Sequence, residues 1–155
     1  MNESHSIGSR ADRQFSTAPP IRVVYADPEP NGLAVLLGGL IDGNLVREAS
    51  RAALLRPSLI GLTSTDAGVS AWVRLARSRV EIGNGHRSGL DVRVSASSAD
   101  LVDLTSAPLR LGLPDPATKH GRTVIAAVAS GRIRISPMLT RAGTLARFNR
   151  LVSVR

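Results

Sequence analysis

Apolar residues first fall into register at Leu33, Leu36, Leu37, Leu40 and Ile41, the i, i+3, i+4 spacing of one helix face. Continued past Ile41, that face would carry Arg47, Glu48 and Arg51. A second stripe, Leu45, Ala49, Ala52 and Ala53, lies about a third of a turn away on the same wheel. The pattern predicts a helix that breaks or bends near Gly43, with Pro57 ending the helical stretch. Gly38, Gly39 and Gly43 each lower helix stability by up to ~1 kcal/mol relative to Ala, which points to close packing or local mobility.

The period then changes to two. Leu59 to Thr65 reads as a strand, Asp66-Ala67-Gly68 as its turn, and Val69, Ala71, Val73 and Leu75 as the apolar face of a second strand. By parity Trp72 belongs to the opposite face, where it would cover the sheet's outer side or meet another subunit. Arg79 to Ile82 and Asp91 to Ser95 supply two more strands, with a hairpin expected at Gly83-Asn84-Gly85. These spacings suit an antiparallel meander. Ser97 and Asp100 form a capping box for a short helix with Leu101 and Leu104 on its apolar side. Pro108 to Pro116 is a loop bearing Leu109, Leu111 and Leu113, which are expected to cover something apolar. Lys119 to Ser130 reads as a helix stopped by Gly131, Arg132 to Ser136 as a fifth strand, and Met138 to Val152 as an amphipathic closing helix. On that last helix Leu145 and Phe148 lie apart from Arg147 and Arg150. Strands followed by helices predict an α+β domain: a five-stranded, mainly antiparallel sheet with helices on one face.

Residues 1–30 are rich in Ser and Pro and read as a flexible tail, within which only Ile21 to Tyr25 could pair as a strand. The domain is expected over 31–155. The full 155-residue chain is 43% hydrophobic but only 3% aromatic, so the core must be aliphatic, and with no cysteine there is neither a disulfide nor thiolate chemistry. No apolar run approaches the roughly 20 residues of a membrane span, and no signal peptide is visible, so a cytoplasmic location is expected.

The net charge of +8 is concentrated at one end. Residues 1–115 hold equal numbers of basic and acidic side chains, whereas 116–155 contain Lys119, Arg122, Arg132, Arg134, Arg141, Arg147, Arg150 and Arg155 and no acid. A solvated face explains this as well as a partner does. Nucleic acid is the disfavoured partner, because there are too few aromatics for base stacking. Contact with an anionic membrane through Arg141, Arg147 and Arg150 is the better fit.

Catalytic and metal-binding patterns are missing. Gly83-x-Gly85-x-x-x-Gly89 has its third glycine one residue late and precedes a strand, so it does not make a nucleotide loop. His5, His86 and His120 are scattered, with no i, i+4 pair for a metal. No Gly-x-Ser-x-Gly elbow occurs. Lys119 and His120 begin a helix, where an acyl-CoA phosphate or simply water could face the amides. The chain is read as a non-enzyme without cofactor.

Three stretches resemble the lipid-binding domains of the sterol carrier protein type 2 family. Leu90-Asp91-Val92-Arg93-Val94-Ser95 followed by Ala99-Asp100-Leu101-Val102-Asp103-Leu104 is similar to its strand and acidic-Leu-Leu helix. Gly131-Arg132-Ile133-Arg134-Ile135 resembles its late Gly-led strand, although Ser136-Pro137 stand where the family has a glycine. Pro108 to Pro116 resembles a loop of a bacterial branch. The resemblance spans roughly 31–155 and implies an apolar cavity between sheet and helices that takes a fatty acid, acyl-CoA or sterol-like lipid. The expected ligand-binding walls are Leu101, Leu104, Leu109, Leu111, Leu113, Val128, Leu145 and Phe148, with the last helix as a lid. An alternative is a non-catalytic adaptor for protein interaction, its cavity filled by the loop leucines.

Overall fold

A computed structural model describes residues 20–137 and 140–154. Its strands are β1 (Arg22–Tyr25), β2 (Ser58–Ser64), β3 (Val69–Ala76), β4 (Arg79–Asn84), β5 (Val92–Ala96), β6 (Leu109–Arg110), β7 (Leu113–Pro114) and β8 (Arg134–Ser136). The helices are α1 (Gly32–Arg47), α2 (Ser98–Ser106), α3 (Lys119–Ala129) and α4 (Ala142–Val152), with a 3-10 turn over Ala49–Leu54. Met138, at the expected start of the closing helix, lies outside the described residues.

The main sheet has six strands in the order β1-β4-β3-β2-β5-β8 and is mixed, not a five-stranded antiparallel meander. β2–β3, β3–β4 and β5–β8 are antiparallel, while β1–β4 and β2–β5 are parallel. The expected hairpin at Gly83-Asn84-Gly85 does not form. β1 already occupies the free edge of β4, so β5 cannot pair there and instead lies parallel to β2. The connection, residues 85–91, crosses the outer face of the sheet. There the cross-strand row Gly61, Trp72, Gly83 makes room for it. A Cβ at Gly61 would strike Leu90, and one at Gly83 would strike the Trp72 ring. Glycines inside strands commonly mark such close approach. Arg87 caps the indole at 4.1 Å, and Trp72 is only 8% exposed.

The structured region therefore starts before the Asn31 boundary read from the sequence. β1 is hydrogen-bonded into the sheet, and Asp27 accepts the Asn84 amide N–H at 2.7 Å. Asn31 caps α1 by accepting the Ala34 N–H, and its own amide groups donate to Asn84 Oδ1 and the Ser70 carbonyl.

α1 does not break at Gly43. Its buried stripe is Leu33, Ala34, Leu37, Gly38, Ile41 and Asn44. The charged residues that point to a break, Arg47, Glu48 and Arg51, lie at or beyond the end of the helix, and the stripe runs unbroken to the polar Asn44. Buried Asn44 donates two 2.9 Å hydrogen bonds to the carbonyls of Leu151 and Ser153 at the end of α4. The helix ends at Arg47, where the chain tightens into the 3-10 turn. Gly38 is packed against the Tyr25 ring, whereas Gly39 and Gly43 face open space.

The inner sheet face carries Ile60, Leu62, Val73, Ile82, Val92 and Val94, all buried in an aliphatic core with α1, α2 and α4. Ser97 caps α2 as expected, accepting the Asp100 N–H, and Thr118 caps α3. α3 then rests so closely on the loop before it that a Cβ at Gly121 would overlap the Asp115 backbone carbonyl.

These environments predict opposite outcomes for two helical glycines. Gly43→Ala should stabilise the fold by up to ~1 kcal/mol, since only the helix preference changes. Gly121→Ala should destabilise it by about 1–3 kcal/mol, because backbone must move. Urea unfolding of both variants checks the pair.

Candidate functional site

Between the sheet and three helices lies an apolar pocket of about 310 Å3. α1 contributes Leu33, Leu36, Leu37 and Leu40; the sheet contributes Leu62, Val69 and Val94; α2 contributes Leu101, Val102 and Leu104; α4 contributes Phe148, Asn149 and Val152. Its polar lining is Ser64, Ser98, Thr105 and Asn149, and among the described residues no charged side chain lines it. The pocket is a cleft with an apolar rim: Leu36 is 49% exposed and Val102 56%.

Of the residues expected from the sequence, Leu101, Leu104 and Phe148 meet at this pocket. The others do not. Leu145 is buried in the core and Val128 packs against it. Leu109 lines a separate, polar cleft with Glu48, Arg51 and Arg150. Leu111 and Leu113 point to solvent, 91% and 45% exposed. The Pro108–Pro116 loop is not a cover but a hairpin, with Arg110 paired to Leu113 and a two-residue turn at Leu111-Gly112. Both turn residues have positive φ, 57° and 84°. Asn-Gly suits such a turn; for a leucine the left-handed conformation costs about 1–2 kcal/mol.

α4 is a wall of the pocket, pinned by Asn44 at its end, with Leu145, Phe148, Leu151 and Val152 buried. The sequence reading missed the α1 wall. A signal for it existed: the apolar face read from the sequence includes Leu36 and Leu40, and so is wider than the buried stripe that seats the helix on the sheet.

One edge of the pocket meets a polar cluster at the start of α2. Asp66 Oδ1 accepts from the Ser64 hydroxyl at 2.8 Å and from the Ser98 hydroxyl and amide at 2.9 and 2.8 Å. Those donors, Ser64 foremost, lower the Asp66 carboxyl from 3.8 to about 2. Next to it, the Arg132 guanidinium holds the Asp100 carboxyl below its usual range through a bridge to Asp100 Oδ1.

The other candidates read from the sequence lie away from the pocket. His120 Nε2 lies 3.1 Å from the Asp103 carbonyl. Arg141 pairs with Asp91 at 3.4 Å, Arg147 donates to Thr144, and Arg150 is exposed beside Leu109. Among the described residues no three His, Cys, Asp or Glu side chains converge on a metal position. No described helix is long and apolar enough to cross a membrane.

The Asp66 cluster predicts an acid-sensitive α2. A carboxyl with a lowered folded pKa stabilises the native state above about pH 4, and that contribution disappears as the pH falls toward 2. Asp66→Asn should therefore be less stable than the native protein at pH 7, with the gap closing near pH 2. Urea midpoints at the two pH values test this.

No protein-family model matches the chain, and no curated protein sequence matches it. Solved structures do. A protein described as "UbiJ-SCP2 Ubiquinone synthesis protein" superposes with a TM-score of 0.55 at 14% identity, covering 77% of this chain and 92% of that one. Sterol carrier protein domain 2 of Helicoverpa armigera, solved in solution, gives 0.51 at 17% identity, covering 84% and 95%. With the mixed sheet and one-sided helix layer already described, these matches identify the architecture: the chain has the fold of the sterol carrier protein type 2 domains.

Proposed function

We propose that this protein binds and carries a hydrophobic small molecule in the pocket between α1, α2, α4 and the sheet. The observation that carries this reading is the lining: with Ala67, thirteen of the described lining side chains are apolar, the polar ones are the neutral Ser64, Ser98, Thr105 and Asn149, and none bears a charge. The volume of about 310 Å3 suits a small ligand or part of an extended one. Transfer from water supplies about 0.8 kcal/mol per buried methylene, so about twelve methylenes give on the order of 10 kcal/mol before ordering costs. The names of the two similar structures, one a sterol carrier protein domain and one a ubiquinone synthesis protein, agree with a lipid-like ligand.

The lining also bears on which lipid. A fatty-acid carboxylate or an acyl-CoA phosphate buried here would meet no cation among the described lining residues, and the ionised group hydrogen-bonded to the lining Ser64 and Ser98 is the acidic Asp66. Burying an unpaired charge is expensive. The buried part of the ligand is therefore uncharged, sterol-like or acyl, with any anionic head held in water at the rim. The role is that of a carrier, not an enzyme. The adaptor alternative lost its motivation: the loop leucines lie away from the pocket, and Trp72 is buried under residues 85–91.

Native mass spectrometry of the protein purified from its own host, followed by organic extraction, tests the reading. A bound lipid mass is the expected result. A clean protein mass with no uptake from an added lipid panel would overturn it. Leu36→Trp, placed at the exposed rim where folding tolerates bulk, should weaken uptake about tenfold or more without lowering the melting temperature.

A further inference from the structure

The β6–β7 hairpin carries a feature that neither packing nor ligand binding uses. Leu111 is the most exposed of the large apolar side chains described, at 91%. It also stands in a left-handed turn position that asparagine or glycine would fill without strain. The hairpin below it is firmly held. Gly112 lies so close to α4 that a Cβ there would strike Ala146, Asn149 Nδ2 approaches the Gly112 carbonyl at 3.4 Å, and the Asp115 N–H donates to the Pro108 carbonyl. A rigid support thus presents one leucine to the outside, with the half-exposed Leu113 behind it.

The surroundings are basic. Arg110 is the residue before Leu111 and is exposed. Arg147 adjoins Ala146, the residue against Gly112, and donates to Thr144, while Arg150 shares a cleft with Leu109, Arg51 and the one acid there, Glu48. From residue 116 onward the chain has no acidic side chain at all. Asp115 itself is occupied in accepting the Ala117 N–H.

We propose that this hairpin is a membrane-contact element: Leu111 enters the boundary between headgroups and acyl chains of an anionic bilayer while Arg110, Arg147 and Arg150 face the phosphates. An apolar insertion joined to a small basic patch gives reversible binding that salt weakens. Asn149 connects this surface to the interior, because the same side chain that reaches the Gly112 carbonyl also lines the pocket. A bilayer seated on the hairpin is therefore one side chain away from the ligand wall.

Leu111→Asn separates this role from a structural one. It relieves the turn, so it should unfold at a temperature a few degrees higher than the native protein. It should also bind phosphatidylcholine vesicles containing phosphatidylserine about tenfold more weakly in a flotation assay. The native protein should bind these vesicles and not pure phosphatidylcholine. Equal vesicle binding by variant and native protein, or no dependence on phosphatidylserine, would overturn the proposal. So would absence of vesicle binding together with self-association that Leu111→Asn abolishes in sedimentation, which would make the hairpin a contact between copies. Lipid uptake without vesicles should be the same in both proteins; its absence from both would refute the pocket reading and leave the vesicle comparison intact.

Discussion

Asn31 and Asn44 fix the two ends of α1, and the helix layer takes its position from them. Asn31 ties the first turn to β3 and β4 through the Ser70 carbonyl and Asn84. Asn44, buried thirteen positions later, grips the last carbonyls of α4. The α1 side chains that line the pocket fall between these two attachments. A buried amide without partners is costly, and here each finds its partners in another element. The result is a helix held at both ends, with room between them for leucines that face each other across a gap.

Electrostatics follow the same division. The pocket lining is neutral, and ionised groups are kept at its margins in local bridges. Asp66 and Asp100 are committed at the start of α2, the first to serine donors and the second to Arg132. Such pairs at the surface add little stability individually. Their effect is positional: they set where α2 begins and so where Leu101 and Leu104 point.

Much of this was readable from the residues. The strands from Leu59 to Ser95, the Ser97 cap and the last helix are local patterns of period and capping, and local patterns survive folding. Pairing was harder. Whether β5 joins β4 or β2 depends on β1 arriving from fifty residues upstream to take the edge of β4, and no spacing near Gly83 records that event. The site failed in a similar way. Leu101, Leu104 and Phe148 lie on faces that must turn inward, so periodicity placed them. Hydrophobicity alone points Leu109, Leu111 and Leu113 inward, whereas the hairpin with its two-residue turn at Leu111-Gly112 leaves Leu111 and Leu113 exposed and puts Leu109 in a separate polar cleft. Arg47, Glu48 and Arg51 mislead in the opposite sense, since the helix ends at Arg47 and its buried stripe is continuous up to Asn44.

The strap of residues 85–91 over the outer sheet face has a practical consequence for anyone working with this protein. The sequence contains a single tryptophan, and Trp72 sits beneath that strap with Arg87 on its ring. The whole thickness of the sheet separates the indole from the apolar pocket. Its fluorescence is thus a reporter of unfolding and of the strap, and it is optically blind to whether the opposite side of the sheet is empty or full.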